Sequence, residues 1–207
     1  MTKDPENYME RVHQGKTVED TRQVYGDWAK TYDETLTSLG YRSPWLVASI
    51  IAARISDKTA PILDIGCGTG MSGQGLSNYG FETIDGIDLS PEMLEQARAK
   101  DIYRNLTPVD LTQPIDMEDG LYGAAVSVGT FTVGHVKPDC IPEILRLIRP
   151  RGLFALTVRT DAWHDHGYDA LLEKYAGQNL LTVLDNHIQS HFENQDQQAH
   201  FLLLGKN

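Results

Sequence analysis

Three acids and three glycines carry the chemistry legible in this sequence. Asp64 sits inside an apolar run that breaks into alternating glycines, Pro61-Ile62-Leu63-Asp64-Ile65-Gly66-Cys67-Gly68-Thr69-Gly70. Gly66, Gly68 and Gly70 put no Cβ between a ligand and the main chain, and they permit a turn that other residues make only with strain. Asp88 follows 18 residues beyond Gly70, where an acid ending the next strand can accept both hydroxyls of a ribose. That layout fits a dinucleotide or another adenosine-containing molecule, and three details tilt the choice. The spacing is Gly-x-Gly-x-Gly, not the Gly-x-Gly-x-x-Gly expected beneath a pyrophosphate. Asp64 is an awkward neighbour for a phosphate and a good one for an ammonium group. Asp110, at the end of a third strand, can accept from an exocyclic amine such as adenine N6. A ligand with an amino-acid end, a ribose and an adenine satisfies all three, and S-adenosylmethionine is that ligand.

The elements that must hold these residues alternate along the chain. Ile62, Leu63 and Ile65 suit a buried parallel strand, and Met71 to Tyr79 then starts a helix whose unpaired N–H groups point back at the turn. Thr83 to Asp88 reads as a second strand. Ser90-Pro91 is a helix start, with a Ser N-cap and Pro in the first position. Arg104 to Val109, Gly123 to Val128 and Leu153 to Val158 are further strands, with a helix from Cys140 to Ile148 between the last two. Tyr168 to Ala176 is a helix. Leu180 to Phe192 and Ala199 to Gly205 read as an antiparallel pair at one sheet edge. Before the glycine turn, residues 1–17 look frayed or loosely helical. Val24, Tyr25, Trp28 and Tyr32 then recur at helical spacing, and a second helix from Ser43 or Pro44 to about Ile55 covers the sheet with Leu46, Val47, Ile50 and Ile51.

The 207 residues, 41% of them hydrophobic, can build one α/β core. The expected fold is a Rossmann-like three-layer sandwich with a mostly parallel seven-stranded sheet and an antiparallel C-terminal edge hairpin. Residues 1–207 read as a single domain, 1–57 an N-terminal helical lid and 58–207 the core. A formal net charge of −11 repels phosphate backbones and argues against a nucleic-acid substrate. Two cysteines, Cys67 and Cys140, make no disulfide framework. The polar N-terminus has no signal-peptide core, and the longest early apolar run is too short for a bilayer. The expectation is a cytoplasmic protein, monomer or homodimer, with no membrane or nucleic-acid partner and no metal.

Leu63-Asp64-Ile65-Gly66-Cys67-Gly68-Thr69-Gly70, Gly86-Ile87-Asp88-Leu89-Ser90 and Val109-Asp110-Leu111 resemble the first three cofactor motifs of class I S-adenosylmethionine-dependent methyltransferases. The resemblance runs from about residue 20 to 205, through Arg149-Pro150-Arg151-Gly152 before the fifth strand. The family usually has a glycine pair there, and Arg151 replaces the first, in a turn remote from the cofactor. The stretch from Tyr25 to Asp33, with Gly134-His135-Val136, is similar to the Williams–Beuren-region methyltransferase-like proteins.

By that resemblance Gly66, Gly68 and the main chain around Cys67 line the methionine moiety beside Gly70, and Asp64 holds its ammonium directly or through water. Asp88 takes the ribose hydroxyls, and Leu89 and Met93 pack on the adenine. Asp110 and the Leu111 main chain read the adenine edge. Val128 and Gly129 lie beneath the sulfonium. Tyr25, Trp28 and Tyr32 close over the cofactor, although an aromatic stripe also serves plain packing. His135 is the one candidate general base. His164 and His166 fall in a polar loop that shapes the acceptor pocket, His187 and His191 on the surface, and Cys67 in a space-filling place. The function implied is methyl transfer to a small-molecule acceptor by in-line displacement. A nicotinamide-dependent oxidoreductase and a non-catalytic S-adenosylmethionine-binding module stand as the alternatives.

Overall fold

A computed structural model describes residue 8 and residues 18–132 and 136–207. Seven strands form one sheet: β1 (Ile62–Ile65), β2 (Ile84–Asp88), β3 (Asn105–Pro108), β4 (Tyr122–Phe131), β5 (Ile148–Arg159), β6 (Leu181–Ser190) and β7 (Gln198–Lys206). Their order is β3-β2-β1-β4-β5-β7-β6. The first five are parallel, and β7 runs antiparallel to both β5 and β6. This is the Rossmann-like sandwich with the antiparallel edge that the strand pattern implies.

Eight α-helices are described: α1 (Val18–Trp28), α2 (Tyr32–Ser38), α3 (Ser43–Ala52), α4 (Met71–Asn78), α5 (Pro91–Arg98), α6 (Ile141–Leu147), α7 (Thr160–Asp165) and α8 (Tyr168–Gly177). The period of two along each strand divides the core into two layers. Leu63, Ile65, Ala125, Phe154, Leu156 and Leu202 pack with residues of α6 and α8 on one face. Ile62, Ala124, Val126, Ala155, Phe201 and Leu203 pack with Val47, Ala48 and Ile51 of α3 and Leu76 of α4 on the other. Helix α5 starts as its sequence dictates: the Ser90 hydroxyl accepts the Met93 N–H at 3.2 Å and Pro91 occupies the first turn. β4 and β5 are longer than their apolar cores, because the ladder resumes beyond irregularities on both sides of Ala124–Ser127.

At the head of β5 the replaced family glycine leaves a trace. Arg151 is exposed and adopts φ 64°, a left-handed conformation that costs an L-residue about 1–2 kcal/mol. Glycine relieves that strain but loses about 0.5–1 kcal/mol through greater unfolded-chain freedom. Arg151→Gly is therefore expected to raise stability by about 0.5 kcal/mol in urea unfolding, with cofactor affinity unchanged.

One histidine departs from its expected place. His191 is not a surface residue but 3% exposed. It follows β6, beneath Tyr41 and beside Phe192 and Phe201, and its Nδ1 shares a 2.7 Å hydrogen bond with the Ser43 hydroxyl. Alternation along β6 does not foretell this, because the Tyr41–Phe192 bridge folds the N-terminal segment over that end.

Candidate functional site

A cavity of about 370 Å³ opens at the carboxyl ends of β1 to β4, the place where this topology leaves a crevice. Its floor is the main chain of Gly66 and Gly68. The turn is fixed by local bonds: Cys67 N–H donates to Ile87 O at 3.0 Å, and Gly70 N–H donates back to Cys67 O at 2.8 Å. Gly66 has φ 63°, and a Cβ there would stand 2.2 Å from the Thr130 hydroxyl, so glycine is required by backbone and space together. Thr130 and Ser127 both donate to Ile65 O, at 3.2 and 2.9 Å, which ties the ends of β1 and β4.

Asp88 borders the cavity and already braces the turn. Its two oxygens accept the N–H groups of Gly68 at 2.8 Å and Ser90 at 2.9 Å. Burial raises its pKa, against those backbone bonds that lower it. Leu89, Ser90 and Met93 continue the same wall, and Val109, Asp110, Leu111 and Thr112 form the next. The Asp110 carboxylate accepts the Thr112 N–H at 2.9 Å and its hydroxyl at 2.7 Å. Val128, Gly129 and Thr130 close the β4 side, with Gly129 at φ 76° and its N–H donating to Thr157 Oγ1 at 3.0 Å. Val136, Lys137 and His166 stand at the far end, and Thr21, Arg22, Tyr25 and Tyr32 cover the top. Burial raises the pKa of both tyrosines, so each keeps a phenol proton to donate.

Four expected residues lie elsewhere. Trp28 is 3% exposed and absent from the lining, packed with Tyr8, Val24, Leu36 and Met71 and against the rings of Tyr25 and Tyr32 at 6.2 and 4.7 Å. Tyr25 and Tyr32 reach the lining from either side of the 3-10 turn at Ala29–Thr31, while Trp28 sits behind them as core. Cys67 is buried, its thiol pushed up by burial and by Asp64 and Asp88, and only the turn around it borders the space. Gly70 caps α4 in a left-handed conformation and is likewise absent from the lining.

Asp64 stands behind the cavity lining, fully buried, with both oxygens already accepting hydrogen bonds. Ser72 Oγ lies 2.9 and 2.8 Å from its two oxygens, and the Tyr103 hydroxyl donates to Oδ2 at 2.6 Å. Tyr103 was missed because it lies 39 residues away. The readable signals are Gly73 and Gly86, where a Cβ would approach the Tyr103 side chain to 2.2 and 3.0 Å. His135 lies outside the described residues. His164 is exposed on α7 while His166, just beyond it, reaches the lining. Among the described residues no group of His, Cys, Asp and Glu is arranged to hold a metal ion, and no helix is long and apolar enough to cross a membrane.

The N-terminal helices are clasped to this turn. Thr69 donates its hydroxyl to Asp33 on α2, and Lys100 Nζ lies 2.5 Å from the other Asp33 oxygen.

Asp64 and His191 set opposing pH dependences. Burial raises Asp64 from 3.8 to about 6 against the Tyr103 and Ser72 bonds that lower it. Between these values the unfolded chain releases a proton that the fold retains, so stability falls as pH rises, by about 3 kcal/mol in all. Burial, then Arg159, lowers His191 from 6.5 to about 4. There the unfolded chain binds a proton the fold refuses, so stability falls as pH drops, again by about 3 kcal/mol. From pH 4 to 6 the two offset each other. Asp64→Asn should uncover a rise in unfolding free energy with pH over that range, and His191→Gln a decline; two curves parallel to wild type would refute both assignments.

Comparison with known proteins fits this geometry. Residues 62–152, from β1 into the head of β5, match the family model described as a methyltransferase domain. The chain is 36% identical over 158 residues to human Methyltransferase-like protein 27, covering 73% of this chain and 64% of that protein, so it spans just under two thirds of this relative. It is 40% identical over 72 residues to a Bos taurus 18S rRNA (guanine-N(7))-methyltransferase, covering 35% of this chain and 25% of that one. Among solved structures, the [4+2]-cyclase SpnF superposes with a TM-score of 0.71 at 18% identity, over 92% of this chain and 97% of that one. That likeness shows the fold alone. Residues 62–152, which carry the glycine turn together with Asp88 and Asp110 of the cavity walls, are thus similar to a methyltransferase domain.

Proposed function

We propose that this protein transfers the methyl group of S-adenosylmethionine to a small-molecule acceptor by in-line displacement. The observation that carries this reading is the cavity itself: a main-chain floor at Gly66 and Gly68, a carboxylate on each of two walls, and space continuing past Gly129 to Lys137 and His166. Asp88 accepts the ribose hydroxyls, Leu89 and Met93 pack on the adenine, and Asp110 with the Leu111 main chain meets its edge. Val128 and Gly129 lie under the sulfur, and Tyr25 and Tyr32 exclude water from above. The bound cofactor supplies an electrophilic methyl, so the chain's own task is alignment in a dry site. His135 is the proposed base for an acceptor that must lose a proton.

The small-molecule reading is supported by the net charge of −11, which opposes a phosphate backbone. Calorimetry with S-adenosylmethionine and S-adenosylhomocysteine tests the cofactor half. Transfer of labelled methyl into a size-fractionated cell extract tests the acceptor half. Label confined to RNA would overturn the acceptor class, and binding with no transfer to any fraction would leave a binding module.

A further inference from the structure

Behind the turn, Tyr103 fills space that three glycines leave open. A Cβ at Gly70 would stand 2.9 Å from its ring, one at Gly73 2.2 Å from its hydroxyl, and one at Gly86 3.0 Å from its ring. Gly70 and Gly73 flank the start of α4, and Gly86 lies in β2. The ring therefore passes between a strand and a helix to deliver one hydroxyl to one buried carboxylate, Asp64 Oδ2, at 2.6 Å. Gly70 belongs to the cofactor motif yet is absent from the cavity lining, and Tyr103 is its close neighbour.

We infer that Tyr103 is a positioning residue of the cofactor site, holding Asp64 behind the glycine turn as the negative charge that a ligand ammonium meets through the main chain of that turn. This rests on the methyl-transfer reading above. Asp64 is a carboxylate with no cation bonded to it among the described residues, and the titratable groups facing it are Tyr103, Cys67 and Asp88. Asp88 and burial both disfavour its charge, and the donors that favour it are Tyr103, Ser72 and the Gly73 N–H. Deleting one of three donors shifts the balance toward the neutral acid. A neutral acid there no longer attracts an ammonium, so Tyr103 acts on the ligand without touching it.

The test is S-adenosylhomocysteine binding by calorimetry from pH 5 to 8, for wild type, Tyr103→Phe, Asp64→Asn and the double variant. Phenylalanine keeps the ring and deletes only the hydroxyl. Wild-type affinity is expected to rise with pH through about 6. Tyr103→Phe should match wild type at pH 5 and fall about tenfold behind it by pH 7, as the wild-type carboxyl ionises and the variant's does not. On the Asp64→Asn background the second substitution should change affinity less than about twofold at every pH. A gap of equal size at every pH, or no gap, overturns the inference while leaving the cofactor reading intact. Should Tyr103→Phe not fold, wild type against Asp64→Asn still decides: equal pH slopes overturn the proposed charge. No binding by wild type overturns the cofactor reading and this inference together.

Discussion

Asp88→Ala is expected to bind S-adenosylmethionine and S-adenosylhomocysteine about 10- to 100-fold more weakly than wild type, a loss of about 1.5–3 kcal/mol. The expectation has two sources. Hydrogen bonds from ribose hydroxyls to a charged acceptor fall in this energy range. The same carboxylate also accepts the Gly68 and Ser90 N–H groups, so alanine leaves the turn less braced where the methionine end would rest. Asp88→Asn should fall between the two, since one amide oxygen can still accept from Gly68. Calorimetry on all three proteins reads the effect directly, and equal affinities would remove Asp88 from the site.

Gly66→Ala should be more damaging to the fold, by about 2–4 kcal/mol in urea unfolding. The left-handed φ of 63° accounts for about 1–2 kcal/mol with an L-side chain. The new methyl would lie 2.2 Å from the Thr130 hydroxyl, forcing that group off Ile65 O and breaking a tie between β1 and β4. The Gly66→Ala, Thr130→Ala double variant removes the clash and should recover part of the loss. Recovery of none of it would place the whole cost in the backbone. Cofactor binding should be undetectable in the single variant even where it remains folded, because the floor of the cavity has moved.

Much of this was legible where the cause is local. The glycine turn, the Ser90-Pro91 helix start and the alternation of strands and helices follow from residues a few positions apart. Asp88 and Asp110 were placed at strand ends by spacing alone, and both reach the cavity. What escaped depends on contacts distant in sequence. Asp64 reads as a free acid until Tyr103 is known to cross beneath it. His191 reads as a surface residue until Tyr41 and Ser43 are folded over it. Trp28 shares a helical stripe with Tyr25 and Tyr32, but Tyr8, Leu36 and Met71 close over it and leave it behind the two tyrosines.

Asp33 touches no proposed ligand atom, yet it links the aromatic cover to the chain beneath the methionine end through Thr69. Lifting that cover therefore means giving up the Thr69 bond and the Lys100 ion pair at Asp33, so a substitution at Asp33 would loosen the roof with every residue of the cavity lining still in place.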